Sequence, residues 1–89
     1  MAAVLTNETL QDELAVSVAH VLASANRKAK ELGVDLKESL ITVSQHLVNG
    51  VWGWRVHYGK RDYVGKRGGD LIIDVGATDA DVQRVVRGQ

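Results

Sequence analysis

An 89-residue chain suits a single domain, residues 1–89, built around one hydrophobic core. Its eleven basic and eleven acidic residues balance, which argues against nucleic acid or a membrane surface as a partner held by overall charge. The absence of cysteine excludes disulfides, thiolate zinc sites and cysteine nucleophiles, and it fits a reducing compartment. The chain starts without the basic and apolar segments of a signal peptide, so we expect a cytoplasmic location. A chain from which a signal peptide had been removed would have the same kind of start.

The first predicted element is an amphipathic helix over residues 9–32. Apolar residues recur there at steps of three and four, which is the pattern of a helix that buries one side. They are Leu10, Leu14, Val18, Val21, Leu22, Ala25, Ala29 and Leu32. Thr6 or Asn7 can cap the start, and Gly33 suits the position just after the end. Residues 35–38 then predict one short turn that leads into a first strand.

A β-hairpin is predicted over residues 41–58, folded about Asn49-Gly50. Asn-Gly is the preferred pair for a type I′ turn, because both central residues need a positive φ. Pairing Val48 with Val51 fixes the register and puts the large apolar residues on one face: Ile41, Val43, Leu47, Trp52, Trp54, Val56 and Tyr58. We therefore expect both tryptophans in the core, with Gln45 as a polar residue at the margin of this face. The other face carries Thr42, Ser44, His46, Arg55 and His57.

Residues 70–75 predict a third strand, because they are short, rich in branched side chains and bounded by glycines. Residues 77–89 leave two alternatives open. Val82, Val85 and Val86 have helical spacing before Gly88, and they equally suit a fourth strand after a polar turn. The fold class predicted is α+β, with one long N-terminal helix packed on one face of a three- to four-stranded antiparallel β-meander.

The C-terminal half contains three runs that form a pattern: Trp54-Arg-Val-His-Tyr, then Gly68-Gly-Asp-Leu-Ile-Ile-Asp-Val, then residues 82–89. Over residues 50–89 this pattern resembles small bacterial PepSY-like domain proteins. The chain departs from the family pattern at Gly76, where Asp is usual, and at Asp79-Ala80, where Thr-Gly is usual. The resemblance implies a helix before a short meander, which favours a strand at residues 82–87. It also implies a noncatalytic module, since such domains are associated with propeptides and inhibition of peptidases, or have no known role.

A basic, glycine-rich loop over residues 59–69 holds the candidate contact residues. They are Lys60, Arg61, Tyr63, Lys66 and Arg67. Glycines let backbone N–H groups converge on an anion while Arg supplies bidentate contacts, so a phosphate, a carboxylate or an acidic peptide fits, and Tyr63 suits stacking on a base. The alternative is a solvated connection in which Arg61 or Arg67 pairs with Asp70 or Asp74.

Nothing in the sequence amounts to a catalytic, metal or cofactor motif, and we expect no enzyme and no cofactor. The three histidines lack metal-ligand spacing. Asp70 and Asp74 flank the third strand on one face. We expect them to keep that face hydrated and to lie opposite Arg55 or Arg84 rather than to act in catalysis. An enzyme would need a deep pocket beside His57, Tyr58 and Asp70, lined by titratable groups whose pKa values are strongly shifted.

The function favoured by the sequence is a noncatalytic module that binds a protein or peptide through a sheet edge and the basic loop. A homodimer formed through a sheet edge is one form of this hypothesis. The alternatives are an anion or nucleic-acid binder that uses the same loop, and a small enzyme.

Overall fold

A computed structural model describes residues 7–48, 50–60 and 70–87 of the chain. The fold is α+β, with one long helix on a four-stranded antiparallel sheet whose strand order is β1-β2-β3-β4. The elements in chain order are α1 Asn7–Gln11, α2 Glu13–Glu31, a short 3-10 helix Leu36–Glu38, β1 Ser39–Val48, β2 Val51–Lys60, β3 Leu71–Gly76 and β4 Val82–Arg87. Within these described ranges, no helix has the length and apolarity that a membrane crossing requires.

The predicted first helix is divided at Asp12. The Asp12 side chain accepts a hydrogen bond from the backbone N–H of Ala15 at 3.0 Å, so it caps α2 and separates it from α1. The predicted end is confirmed, because Gly33 has φ of 87° and Val34 donates its N–H to the carbonyl of Ala29, as in a Schellman motif. The short turn predicted at residues 35–38 is also present.

Only the part of α2 from Val18 onward covers the sheet. Val21, Ala25 and Ala29 are buried, whereas Leu10 and Leu14 are exposed although they belong to the predicted apolar stripe. The small side chains let the helix approach the sheet closely, and it packs mainly on β3, with β2 and β4 beside it. The expectation that the whole stripe is buried is therefore wrong for Leu10 and Leu14.

The hairpin has the predicted register in every pair from Ile41–Tyr58 to Val48–Val51. Gly50 has φ of 78°, as the type I′ turn requires, while Asn49 lies outside the described residues. The third strand is confirmed, and residues 82–87 form the fourth strand rather than a helix. Pairing of β3 with β4 is interrupted after Asp74, where Gln83 is an extra residue and forms a bulge.

The core lies between α2 and the face of the sheet that carries Trp54, Val56, Tyr58, Leu71, Ile73 and Val75. Two polar contacts tie the layers together at its margins. The Tyr58 hydroxyl donates to Asn26 Oδ1 at 2.7 Å, and the Ser24 hydroxyl donates to the Ala80 carbonyl at 2.6 Å. The expectation that both tryptophans lie in this core is wrong for Trp52, which is 56% exposed.

Candidate interaction surface

The two edges of the sheet are strands β1 and β4, and they differ in how well they are protected. β4 is six residues long, carries the bulge at Gln83 and presents Arg84 and Arg87. Arg87 also donates from Nη2 to the Leu32 carbonyl at 2.6 Å, which attaches this edge to the end of α2. Bulges and charged side chains are the devices by which proteins discourage further strand pairing.

β1 has none of these protections. It runs for ten residues, Ser-Leu-Ile-Thr-Val-Ser-Gln-His-Leu-Val, without proline and without any Asp, Glu, Lys or Arg. Its ten pairs with β2 follow one another without a bulge, so the strand is regular along its whole length. In the part of the chain that the structure describes, β1 pairs only with β2. A long, regular, uncharged edge is a template for strand addition.

The hairpin turn determines which backbone groups of β1 face outward. In a two-residue hairpin the pair next to the turn, here Val48 and Val51, exchanges both backbone hydrogen bonds, and such pairs then alternate with pairs that exchange none. The residues of β1 in the pairs that exchange no hydrogen bonds with β2 therefore direct their N–H and C=O groups away from β2. On β1 these residues are Ile41, Val43, Gln45 and Leu47.

An exposed apolar surface adjoins this edge. Leu47 of β1 and Trp52 of β2 are direct cross-strand partners on the face that carries α2, and they are 54% and 56% exposed. Ile41 and Val43 continue the same face of β1 and are half-buried at the margin of the core. Sequence reasoning placed Trp52 in the core and Leu47 opposite it on the same apolar face, and so missed both as surface residues. The sequence signal that could have indicated this edge is the absence of charge over residues 39–48.

The face of the sheet opposite α2, which we call the open face, carries one ion pair and one hydrogen bond between a histidine and an aspartate. Arg55 donates to Asp74 through Nε at 2.8 Å and Nη2 at 3.3 Å, and this hydrogen bonding raises the pKa of the Arg55 guanidinium. His57 Nε2 lies 3.0 Å from Asp70 Oδ2. Asp74 therefore pairs with Arg55, as one of the sequence alternatives predicted. Asp70 and Asp74, the two acids predicted to lie on one face of the third strand, therefore each have a partner nearby.

A shallow groove of about 370 Å³ crosses the open face beside these pairs. Gly53, which has no side chain, lines the groove together with His46, Val51 and Arg84. Gly53 pairs with Gly76 of β3. Gly76 cannot be enlarged without movement, because a Cβ there would lie 2.6 Å from Asp79 Oδ1. Arg55 and Asp74 at its wall bind each other.

The candidate residues of the basic loop are only partly described. Lys60 is the last residue of β2, opposite Ser39, and its side chain is exposed. The predicted loop therefore begins later than expected, since Gly59 and Lys60 belong to the strand. The other four candidates, Arg61, Tyr63, Lys66 and Arg67, lie outside the described residues, so a site formed by this loop stays a prediction. Among the described residues, no cluster of three or more His, Asp or Glu side chains suits a metal ion.

Comparisons with known proteins add no relative. No protein-family model matches the chain, and neither the curated proteins nor the solved structures gave a match.

Proposed function

We propose that this protein is a noncatalytic interaction module that binds an extended segment of a protein or peptide along the outer side of β1. The observation that carries the proposal is the contrast between the two edges of one sheet. β4 has a bulge, two arginines and a hydrogen bond from Arg87 to the end of α2. β1 instead has ten residues in regular pairing, with no Asp, Glu, Lys or Arg and no proline.

Recognition would use both the backbone and the side chains of the edge. The outward N–H and C=O groups of Ile41, Val43, Gln45 and Leu47 supply hydrogen bonds that do not depend on the partner's sequence. Exposed Leu47 and Trp52 favour apolar residues at alternate positions of the partner, on the side of α2. On the open face the partner meets Thr42, Ser44 and His46, which suit polar side chains.

The noncatalytic part of the proposal rests on the chemistry of the described polar residues and on the resemblance to PepSY-like domains. The four open-face residues that titrate or carry charge on β2 and β3 form two local pairs, Arg55 with Asp74 and His57 with Asp70. The basic loop, including Lys60, remains a candidate second contact with the same partner, and the cytoplasm remains the proposed compartment.

A backbone-directed variant tests whether β1 receives a strand. A phage-displayed library of random ten-residue peptides is selected against the protein, and the affinity of selected peptides is then measured for Gln45→Pro and Gln45→Ala. Gln45 is exposed and its N–H points outward, so proline removes a donor to the partner and none to β2. Alanine removes the same side chain but keeps the N–H, which makes it the matched control.

We expect the selected peptides to have apolar residues at alternate positions, to bind wild type and Gln45→Ala alike, and to lose about tenfold or more in affinity for Gln45→Pro. Circular dichroism and thermal melting verify that both variants are folded. Equal binding to Gln45→Pro, or a selection that enriches no peptide, would overturn the proposal. Selected ligands that are acidic, and whose binding falls steeply with salt, would instead favour the anion-binding loop.

A further inference from the structure

We infer that the segment added to β1 is β1 of a second copy of this chain, in a symmetric dimer. This inference rests on the proposed function, because it identifies the partner that the β1 edge receives. Three features of β1 support a symmetric dimer: the symmetry of its sequence, the direction of its backbone groups and the apolar residues beside it.

The polarity of β1 is nearly the same when read in either direction from Ser44. A two-fold axis through Ser44 would place Leu40 opposite Val48, Ile41 opposite Leu47 and Thr42 opposite His46 of the other copy. In these pairs apolar residues meet apolar residues and polar residues meet polar ones; only Val43 opposite Gln45 is mixed. Antiparallel self-pairing requires this kind of symmetry, since each residue meets the residue equally distant on the other side of the axis.

The backbone geometry of the hairpin permits the same register. Residues with outward N–H and C=O groups are the odd-numbered ones, including Ile41, Val43, Gln45 and Leu47. About Ser44, Ile41 meets Leu47 and Val43 meets Gln45, so outward groups always face outward groups. A register shifted by one residue would pair odd positions with even ones and leave these groups without partners.

The dimer would also cover apolar surface that is exposed in one copy. Since α2 packs mainly on β3, the face of β1 on the helix side is only partly covered. In the dimer the uncovered parts of this face in the two copies would join into one apolar surface between the two α2 helices. Each copy would contribute Ile41, Val43, Leu47 and Trp52 to it. The other edge does not favour self-pairing, because β4 is short, carries the bulge at Gln83 and has Arg87 bound to the Leu32 carbonyl.

A single cysteine at the axis tests this register directly. The chain contains no cysteine, so Ser44→Cys introduces one thiol per copy. At the axis two Cα atoms of a non-hydrogen-bonded pair lie about 4.5 Å apart, within the range that a disulfide spans. Thr42→Cys is the matched control on the same exposed face, because the two Thr42 positions would be separated by four residues, or about 13 Å.

We expect mild oxidation of dilute protein to cross-link Ser44→Cys at least about tenfold faster than Thr42→Cys. Sedimentation of the wild type should show a monomer–dimer equilibrium, while Ser44→Lys and Ser44→Asp should each be monomeric and should form a dimer when mixed. Equal cross-linking of the two cysteine variants, or a wild type that stays monomeric at millimolar concentration, overturns the dimer. If that monomer still binds selected peptides in a manner sensitive to Gln45→Pro, the dimer fails while the proposed function stands.

Discussion

Trp52 and Trp54 lie two residues apart on the same face of β2, yet Trp54 is 9% exposed and Trp52 is 56% exposed. The difference comes from the length of β3. Trp54 has β1 on one side and Val75 of β3 on the other, whereas β3 ends at Gly76, opposite Gly53. Beyond that pair the hairpin continues as two strands, so within the described residues Trp52 has a cross-strand partner in Leu47 and none on the side of β3.

The first prediction separates the two tryptophans by stability. Trp54→Ala should lower the free energy of unfolding by about 3–5 kcal/mol, because it removes a buried indole and leaves a cavity. This is a large share of the roughly 4–13 kcal/mol expected for a chain of this length. Trp52→Ala should cost less than about 1 kcal/mol, because the indole is already largely hydrated. Urea unfolding followed by far-UV circular dichroism measures both, and comparable losses would show that Trp52 is buried after all.

The hairpin was predictable in detail because its information is local. Asn49-Gly50 determines the turn, the turn determines the register, and the alternation of side chains then assigns each residue to a face. Gly33 and residues 35–38 were predictable for the same reason, since caps and tight turns depend on a few adjacent residues.

Burial on each face was less predictable, because it depends on which elements happen to lie opposite. The apolar stripe of the helix does not reveal that α2 covers β3 in preference to β1, or that Leu14 lies outside the covered region. The prediction that Trp52 lies in the core was wrong for the same reason. The strand at residues 82–87 was decided by pairing with β3 across the turn at residues 77–81, which the propensity of residues 82–87 alone does not encode.

The second prediction concerns alkaline stability and rests on Tyr58. Burial raises the pKa of the Tyr58 hydroxyl from 10.0 to about 12. In the folded protein this hydroxyl keeps its proton, as its hydrogen bond to Asn26 requires, at pH values where the unfolded chain has lost it. Unfolding therefore releases a proton between pH 10 and about 12, and the stability contributed by this group is full below pH 10 and lost as the pH rises through that window.

Tyr58→Phe provides the control for that titration. At neutral pH it should cost about 1 kcal/mol, because the hydrogen bond to Asn26 is lost. Its free energy of unfolding should decline less steeply than that of wild type above pH 10, because the variant lacks the Tyr58 hydroxyl whose proton is released on unfolding. Guanidinium unfolding at a series of pH values measures the two slopes, and parallel curves would exclude a raised pKa at Tyr58.

The third prediction concerns the coupling between Arg55 and Asp74 on the open face. Their side chains are 32% and 18% exposed and share two hydrogen bonds, so the pair is partly shielded from water. A double-mutant cycle with Arg55→Met and Asp74→Asn should give a coupling free energy of about 1 kcal/mol. Arg84→Met with Asp74→Asn is the matched cycle, because Arg84 also faces Asp74 in register but forms no ion pair with it in the described structure. Similar coupling in both cycles would mean that Asp74 senses only the general field of nearby cations.

The last prediction concerns how the helix is attached to the turn between β3 and β4. Ser24 on α2 donates its hydroxyl hydrogen to the carbonyl of Ala80, a residue with φ of 55° that lies 56 positions further along the chain. A non-glycine residue with a positive φ is strained, and this hydrogen bond holds the turn in that conformation. Ser24→Ala should therefore lower the free energy of unfolding by about 1 kcal/mol more than Ser17→Ala, which makes the same change on an exposed part of the same helix.

Comparing the two serines cancels the gain in helix propensity that alanine brings at either site, so the difference reports the contact with Ala80. Hydrogen exchange locates the effect. Two backbone amides report on the turn: that of Ala80, which donates to the Gly76 carbonyl, and that of Gly76, which donates to the Asp81 carbonyl. Both should exchange faster in Ser24→Ala than in wild type, and at the wild-type rate in Ser17→Ala. Unchanged protection of both amides would show that the turn holds its conformation without the helix, since the backbone bonds within residues 76–81 would then suffice.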